Sequence, residues 1–81
     1  MAKTFHLSVA KVGESLFDGE ALSVSLPGAD GDFTVLSGHE AFVTPLRPGQ
    51  ALVKPVEGEE LLITIESGVA EVSGNQVTVL L

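Results

Sequence analysis

Short stretches in which apolar and polar residues alternate recur along the whole chain, and they limit the fold more than any other feature. Residues 5–9 and 22–26 show the pattern clearly, and Leu61, Ile63 and Ile65 share one face of a third stretch. Successive side chains of a strand point to opposite faces, so each stretch predicts a strand with one buried face. No stretch has the period of an amphipathic helix. The sequence therefore predicts an all-β fold.

Turn residues separate these stretches along the chain. Residues 27–31 are predicted to form a tight loop, and residues 73–75 a three-residue hairpin loop. Pro45 and Pro55 lack a ladder donor, so we expect them at strand edges, ends or bulges. This spacing predicts a single domain over residues 1–81, a two-sheet antiparallel β-sandwich or flattened barrel of about eight to ten strands. The remaining predicted strands cover residues 32–36, 41–46, 50–54, 69–72 and 76–81.

The balance of charge excludes several classes of partner. The chain has 11 acidic and 4 basic residues, a net charge of −7, and such a field repels nucleic acid and anionic lipid. No apolar run approaches the ~20 residues that cross a bilayer, and the N-terminus lacks the apolar region of a signal peptide. We therefore expect a soluble protein that is not exported. Without cysteine it has neither disulfides nor thiolate metal sites.

Few residues are suited to catalysis or to metal binding. His39 and Glu40 begin like a zinc-protease motif, but Val43 stands where that motif requires its second histidine. Asp30 and Asp32 are interpreted as turn acids, because the longer loop that would complete a calcium site is missing. The chain has neither a glycine-flanked serine nucleophile nor a phosphate-binding loop. We expect no catalytic residue, no metal and no cofactor.

The four phenylalanines fall into two pairs. Phe5 and Phe33 fit buried strand faces, whereas Phe17 and Phe42 lie beside loops, where each either caps the sandwich or anchors a partner. Residues 38–42 gather a glycine, a histidine and a phenylalanine on one predicted loop. That composition is typical of a contact surface rather than of a packed core.

Several groups of residues, taken in order, resemble the ε subunit of F-type ATP synthases. They are residues 4–9 (TFHLSV), 16–19 (LFDG), 27–33 (PGADGDF), 38–41 (GHEA), 46–49 (LRPG), 67–72 (SGVAEV) and 75–80 (NQVTVL). Each group is short, but their order and spacing extend over essentially the whole chain. The resemblance implies the N-terminal β-sandwich domain of that subunit, which agrees with the strands predicted above.

The resemblance implies a non-catalytic rotor subunit of the central stalk. In that family the domain binds the γ subunit and rests against the polar loops of the membrane c ring, which couples proton translocation to ATP synthesis. It implies a peripheral position at the cytoplasmic face of the bacterial inner membrane. Positions that match Lys11, His39 and Thr44 lie toward γ in the family, and Phe42 is added as an apolar anchor on its chemistry. The turn that faces the c ring matches Gly28, Ala29, Asp30, Gly31 and Asp32.

Two features depart from the family pattern. Val69 stands where a second glycine is usual, which affects the local backbone. The helical hairpin of the family would begin after Leu80, whereas this sequence ends at Leu81. Because that hairpin carries the family's inhibition of ATP hydrolysis and, in some members, a nucleotide site, we expect neither property here.

The alternative interpretation is a biotinyl- or lipoyl-type carrier domain, which is also small, acidic and all β. Lys54 would be the modified lysine of such a domain. It lies in a predicted strand beside Pro55, however, and not at the hairpin tip that carrier domains use. The ε-type domain is therefore the preferred interpretation.

Overall fold

The computed structural model describes residues 3–38 and 40–81, and these contain eight strands and no helix. The predicted all-β class is confirmed, and the number of strands lies in the predicted range. In chain order the strands are β1 (Phe5–Lys11), β2 (Glu14–Gly28), β3 (Gly31–Leu36), β4 (Phe42–Leu46), β5 (Gly49–Pro55), β6 (Leu61–Ile65), β7 (Gly68–Ser73) and β8 (Gln76–Leu80).

The strands join into one curved sheet that closes on itself as a near-barrel sandwich. Hydrogen-bonded neighbours follow the order β1-β8-β7-β4-β2-β5-β6, β3 lies beside β2, and a further pairing of β1 with β2 completes the ring. The length of β2 makes this closure possible, because its first half pairs with β1 and its second half pairs with β3 and β5. At its end, Gly28 meets Leu46 of β4.

One pairing differs from the predicted antiparallel arrangement. β1 and β8 run parallel, with His6 opposite Gln76 and Ala10 opposite Leu80, while the other pairings of the described strands are antiparallel. No hairpin joins the first strand to the last, so no turn in the sequence sets their relative direction. The alternation within each strand is the same for either direction, which is why the prediction missed it.

The core consists of the inward side chains of both layers of the sandwich. Along β1, Phe5, Leu7 and Val9 are buried and alternate with the half-buried His6 and Ser8, as predicted. Burial of one such apolar side chain contributes about 1.5–3 kcal/mol. No polar side chain is buried among the described residues. The core comprises Phe5, Leu7, Val9, Ala21, Val24, Leu26, Val35, Leu46, Ala51, Val53, Ile63, Ile65, Ala70, Val72, Val77 and Val79.

β2 is longer than predicted, and its faces change along its length. The sequence pattern predicted a strand over residues 22–26 with Leu22 on the buried face, but Leu22 is exposed and Ala21 is buried instead. The pairing of β2 with β5 shifts between Ala21 and Ser23. A shift of this kind exchanges the inward and outward faces of a strand. Leu16 likewise has no partner residue in β1, because the register of the β1–β2 pairing shifts between Val9 and Ala10.

The β7–β8 hairpin has a shorter loop than predicted. Ser73 pairs with Gln76, which leaves two loop residues rather than three. The first of them, Gly74, has a φ of 59°, the sign that a type II′ turn requires at this position. The second, Asn75, does not have the positive φ that the sequence allowed for it.

Both prolines singled out in the sequence are tolerated for the expected reason. Pro55 is the last residue of β5. Pro45 lies within β4, but its carbonyl accepts a hydrogen bond of 3.0 Å from the N–H of Ala29, on the side of β4 away from β7. The nitrogen and carbonyl of one strand residue point to the same side, so the missing donor of Pro45 removes no bond to β7.

Candidate functional site

A cleft of about 460 Å³ lies between the β2–β3 hairpin and β4. Gly28 and residues 30–33 form one wall, and residues 42–44 form the other. One continuous surface therefore contains the turn predicted to face the c ring. It also contains two of the residues predicted to face γ, Phe42 and Thr44. The sequence motifs did not indicate this, because the turn lies in the motif at residues 27–33 whereas Phe42 and Thr44 belong to no motif.

An aromatic pair lines the cleft. The ring centroids of Phe33 and Phe42 are 5.3 Å apart and the ring planes meet at 71°, an edge-to-face arrangement. Both side chains are half-buried and pack against the core. Phe42 thus packs the sandwich and also presents part of its surface to the cleft. Phe17, the other loop-side phenylalanine, is half-buried against the core as well.

The β2–β3 turn consists of the exposed Ala29 and Asp30, between the paired Gly28 and Gly31. Gly28 is needed for space, because a Cβ there would lie 2.7 Å from the carbonyl oxygen of Gly31 and 2.8 Å from Cε1 of Phe33. Gly31 is needed for its φ of 137°, which side chains other than glycine rarely adopt. The predicted tight loop is confirmed, and it is a two-residue turn.

Arg47 attaches this turn to the chain that leaves β4. Its side chain donates from Nη2 to Oδ1 of Asp32 at 2.6 Å and from Nε to the carbonyl of Gly28 at 2.9 Å. Its backbone N–H donates to the carbonyl of Pro27 at 2.9 Å. In the sequence, Arg47 appears only within the motif at residues 46–49, because nothing in a local pattern shows that its side chain reaches back to the β2–β3 hairpin.

The residues predicted to face γ do not all lie at the cleft. Lys11 ends β1, forms an ion pair of 3.6 Å with Glu14 and lines a different hollow. Thr44 is half-buried in the cleft wall, and its hydroxyl donates to the carbonyl of Pro45 at 3.2 Å. His39 lies outside the described residues. The structure therefore brings Thr44 together with Phe42, and places Lys11 elsewhere.

The cleft carries negative charge at its turn. The Asp32 carboxylate is compensated by Arg47, whereas Asp30 forms no ion pair with any residue in 3–38 or 40–81. Lys11 and Lys54 form their ion pairs elsewhere, with Glu14 at 3.6 Å and a glutamate at 3.9 Å. The turn therefore carries one uncompensated carboxylate, whose field salt screens.

A second group of polar side chains lies on the outer face of β1 and β2. His6 places Nε2 2.6 Å from Oδ1 of Asp18 and Nδ1 3.3 Å from Oε2 of Glu20, and the hydroxyl of Thr4 donates to Glu20 at 2.9 Å. The His6 contacts link two neighbouring strands.

The described part of the chain has no group of three or more side chains suited to hold a metal ion. It also has no helix that could span a membrane.

Lys54, the candidate of the carrier-domain alternative, lies in a paired strand. It is opposite Ser23 of β2, and its Nζ is 3.9 Å from Oε2 of Glu60. A carrier lysine must reach a modifying enzyme from a hairpin tip. The position of Lys54 does not provide that presentation, so the structure disfavours this alternative.

Curated relatives align with nearly the whole chain. The chain is 36% identical over 77 residues to the ATP synthase epsilon chain of Delftia acidovorans and 38% identical over 77 residues to that of Polaromonas naphthalenivorans. Each alignment covers 95% of this chain and 56% of the relative. The chain thus spans somewhat over half the length of these relatives.

Solved structures share the fold at lower sequence identity. A chain in the mitochondrial ATP synthase of Euglena gracilis, solved as OSCP/F1/c-ring, superposes with a TM-score of 0.87 at 24% identity, over 95% of this chain and 49% of that one. A chain in the central stalk/c-ring structure of the Tetrahymena thermophila mitochondrial ATP synthase gives 0.80 at 12% identity, over 96% of this chain and 63% of that one. At these identities the likeness shows the fold.

A family model describes the whole sandwich. It matches residues 4–81, which contain all eight strands, both walls of the cleft and Arg47. The match agrees with the family resemblance of the sequence motifs. The chain belongs to the family described as the β-sandwich domain of the ATP synthase delta/epsilon chain.

Proposed function

We propose that this chain is the β-sandwich part of an ε-type subunit in the central stalk of an F1Fo ATP synthase, and that it acts by binding. It contacts the γ subunit and the polar loops of the c ring, and so couples proton translocation to ATP synthesis at the cytoplasmic face of the bacterial inner membrane. The observation that carries the proposal is the alignment of 95% of the chain with relatives named ATP synthase epsilon chain. The proposal assigns these residues neither a catalytic nor an inhibitory role.

The proposed contacts follow the surfaces described above. Lys11, His39, Phe42 and Thr44 are assigned to γ, and the turn at residues 28–32 is assigned to the c ring. The half-buried Phe42 supports its assignment, because aromatic side chains held by packing are effective anchors in interfaces. The exposed Asp30 supports the second assignment, because a carboxylate at a turn tip attracts basic or amide groups.

Native mass spectrometry with the γ subunit of the same organism tests the proposal. The chain is mixed with γ at micromolar concentration, with and without ATP. We expect a one-to-one complex and no bound nucleotide in either sample. The absence of a complex would refute the proposal, and a nucleotide bound to this chain would contradict the assignment of a purely binding role.

The contact with the c ring is tested by charge reversal at Asp30. We expect Asp30→Lys to retain γ and to lose co-purification of the γ complex with the c ring, since the variant turns an attractive charge into a repulsive one. Glu59→Lys is the matched control, because Glu59 is also exposed and forms no ion pair with the described residues. Asp32 is unsuitable for this test, because its charge holds Arg47. Equal loss in both variants would refute the assignment of the turn.

A further inference from the structure

Two of the three aspartates in the sequence stand directly before a glycine. They are Asp18 and Asp30, whereas Asp32 precedes a phenylalanine. Glycine lacks a Cβ, so its backbone nitrogen is unusually accessible to the side chain of the residue before it. In such a pair the nitrogen of the glycine can attack the carboxyl carbon of the aspartate. The sequence therefore contains two positions that share one intrinsic reactivity.

The reaction at such a pair needs no reagent other than water. The glycine nitrogen forms a bond to Cγ of the aspartate, and the hydroxyl of the protonated carboxyl group leaves with the amide hydrogen as one molecule of water. The product is a five-membered succinimide ring. One molecule of water then opens the ring: attack at Cγ restores aspartate, and attack at the main-chain carbonyl carbon gives isoaspartate, in which the backbone runs through Cβ and Cγ. The mass of the chain is unchanged.

Asp30 stands where the fold opposes this reaction least. It is exposed in the two-residue β2–β3 turn, and its carboxylate forms no ion pair with any residue in 3–38 or 40–81. The next residue, Gly31, belongs to the last pair of the β2–β3 ladder, opposite Gly28. Only this terminal pair has to open to release the nitrogen of Gly31, and the ends of paired structure open at the smallest cost in free energy.

Asp18 stands in a setting that opposes the same reaction. Gly19 is opposite Leu7 in the β1–β2 ladder, and paired residues continue on both sides of it. Oδ1 of Asp18 lies 2.6 Å from Nε2 of His6, a contact that ties the side chain to the neighbouring strand. Reaction at Asp18 therefore requires the ladder to open in its interior, which costs more free energy than opening at its end.

We propose that the β2–β3 turn is a site of spontaneous isoaspartate formation at Asp30, and that the folded sandwich protects Asp18 from the same reaction. The two positions have the same reacting groups, so the fold selects between them. The reaction needs no partner chain and does not depend on the proposed function.

Conversion of Asp30 changes the length of the turn. The backbone gains one methylene group between residues 30 and 31, in a turn whose ends, Gly28 and Gly31, are paired. A hairpin loop of two residues has a defined backbone geometry and cannot absorb an additional atom without a change at its ends. We therefore expect isoaspartate to disrupt the pair of Gly28 with Gly31 and to weaken the bond that the Gly28 carbonyl accepts from Arg47.

Ageing of the purified chain at neutral pH tests the proposal. A glutamate-specific protease separates the two positions into peptides of residues 15–20 and 21–40. Chromatography resolves the aspartyl and isoaspartyl forms of each peptide, which have equal mass, and fragmentation locates the altered residue. We expect at least about tenfold more isoaspartate at Asp30 than at Asp18, the ratio that a difference of about 1.4 kcal/mol in the free energy of local opening gives. Equal amounts at the two positions, or none at Asp30, would overturn the proposal.

The unfolded chain provides the control for protection by the fold. In concentrated urea neither pair is held in a ladder, so we expect the two aspartates to react at similar rates. If the preference for Asp30 persisted in urea, the local sequence and not the fold would select the site, and the proposal would be wrong. This comparison uses the unmodified chain and requires no variant to fold.

Asp30→Glu is the matched variant for the effect on the turn. It keeps the negative charge, but attack on a glutamate would form a six-membered ring, which closes much less readily. We expect the Tm of the unmodified chain to fall as isoaspartate accumulates and the Tm of Asp30→Glu to stay constant over the same period. A constant Tm in unmodified chain that has been converted at Asp30 would show that the turn absorbs the additional methylene, and would refute the expected disruption.

Discussion

Removal of the Arg47 side chain tests how the turn is held. Arg47→Ala loses the charged hydrogen bond to the carbonyl of Gly28 and the ion pair with Asp32, and keeps the backbone bond to Pro27. The first contact is only partly buried, so solvent screening reduces it to about 1–1.5 kcal/mol, below the usual worth of a charged hydrogen bond. The second joins side chains that are 47% and 77% exposed, and contributes about 0–1 kcal/mol. The expected loss is therefore about 1–2.5 kcal/mol, or roughly 4–20 °C in Tm for a domain of this size.

Calorimetry of a small set of variants separates the two contacts. Arg47→Lys keeps a charge near Asp32 but loses the fork that also reaches Gly28, so we expect it to recover only part of the loss. Asp32→Asn should cost less than Arg47→Ala, and the double variant should show a coupling of about 0.5 kcal/mol that disappears at 1 M salt. A Tm of Arg47→Ala within 1 °C of the unmodified chain would show that the turn does not depend on Arg47. An equal loss in Asp32→Asn would show that the ion pair, and not the bond to Gly28, holds the turn.

Two further substitutions test the packing around the cleft. Gly28→Ala should lower the free energy of unfolding by roughly 1–3 kcal/mol in urea titrations, because its Cβ meets a backbone carbonyl at 2.7 Å. The control is Gly19→Ala, whose Cβ has only ordinary contacts from 3.7 Å and which should change the free energy of unfolding by less than about 0.5 kcal/mol. Equal losses in the two variants would contradict the role of space at Gly28. Phe42→Ala should weaken binding of γ by roughly 1–3 kcal/mol in calorimetric titrations and also lower stability, since the ring packs on Phe33. Unchanged affinity in folded Phe42→Ala would show that Phe42 only packs the sandwich.

The parts of the fold that the sequence predicted are those set by local alternation. Residues 5–9 and 76–79 alternate without interruption, and both lie in strands with the expected faces. The first half of β2 was missed because Leu16 and Phe17 are adjacent apolar residues and one of them, Leu16, is passed over in the pairing with β1. A bulge interrupts the very period on which the prediction depends. The face of Leu22 was wrong for the same reason.

The candidate site was predictable in its residue types more than in its arrangement. The turn at residues 27–31 and the contact character of Phe42 were visible in the sequence, because glycine, proline and aromatic residues have strong local meanings. That both line one cleft depends on how β4 passes the β2–β3 hairpin, which is a property of the closed sheet. The reach of the Arg47 side chain depends on that closure in the same way.

The pairing of the first strand with the last has a consequence for synthesis of the protein. His6 lies opposite Gln76, and the N–H of Leu81 donates to the carbonyl of Ala10 at 2.9 Å, so β1 gains one of its two neighbours only when residues near position 80 are available. Until β8 emerges from the ribosome, β1 lacks its hydrogen-bonded neighbour on one side. Contacts so distant in sequence slow folding, and transiently exposed strand edges favour aggregation. The sandwich is therefore expected to fold in one late step after β8 emerges, which makes a chaperone most useful during the preceding interval.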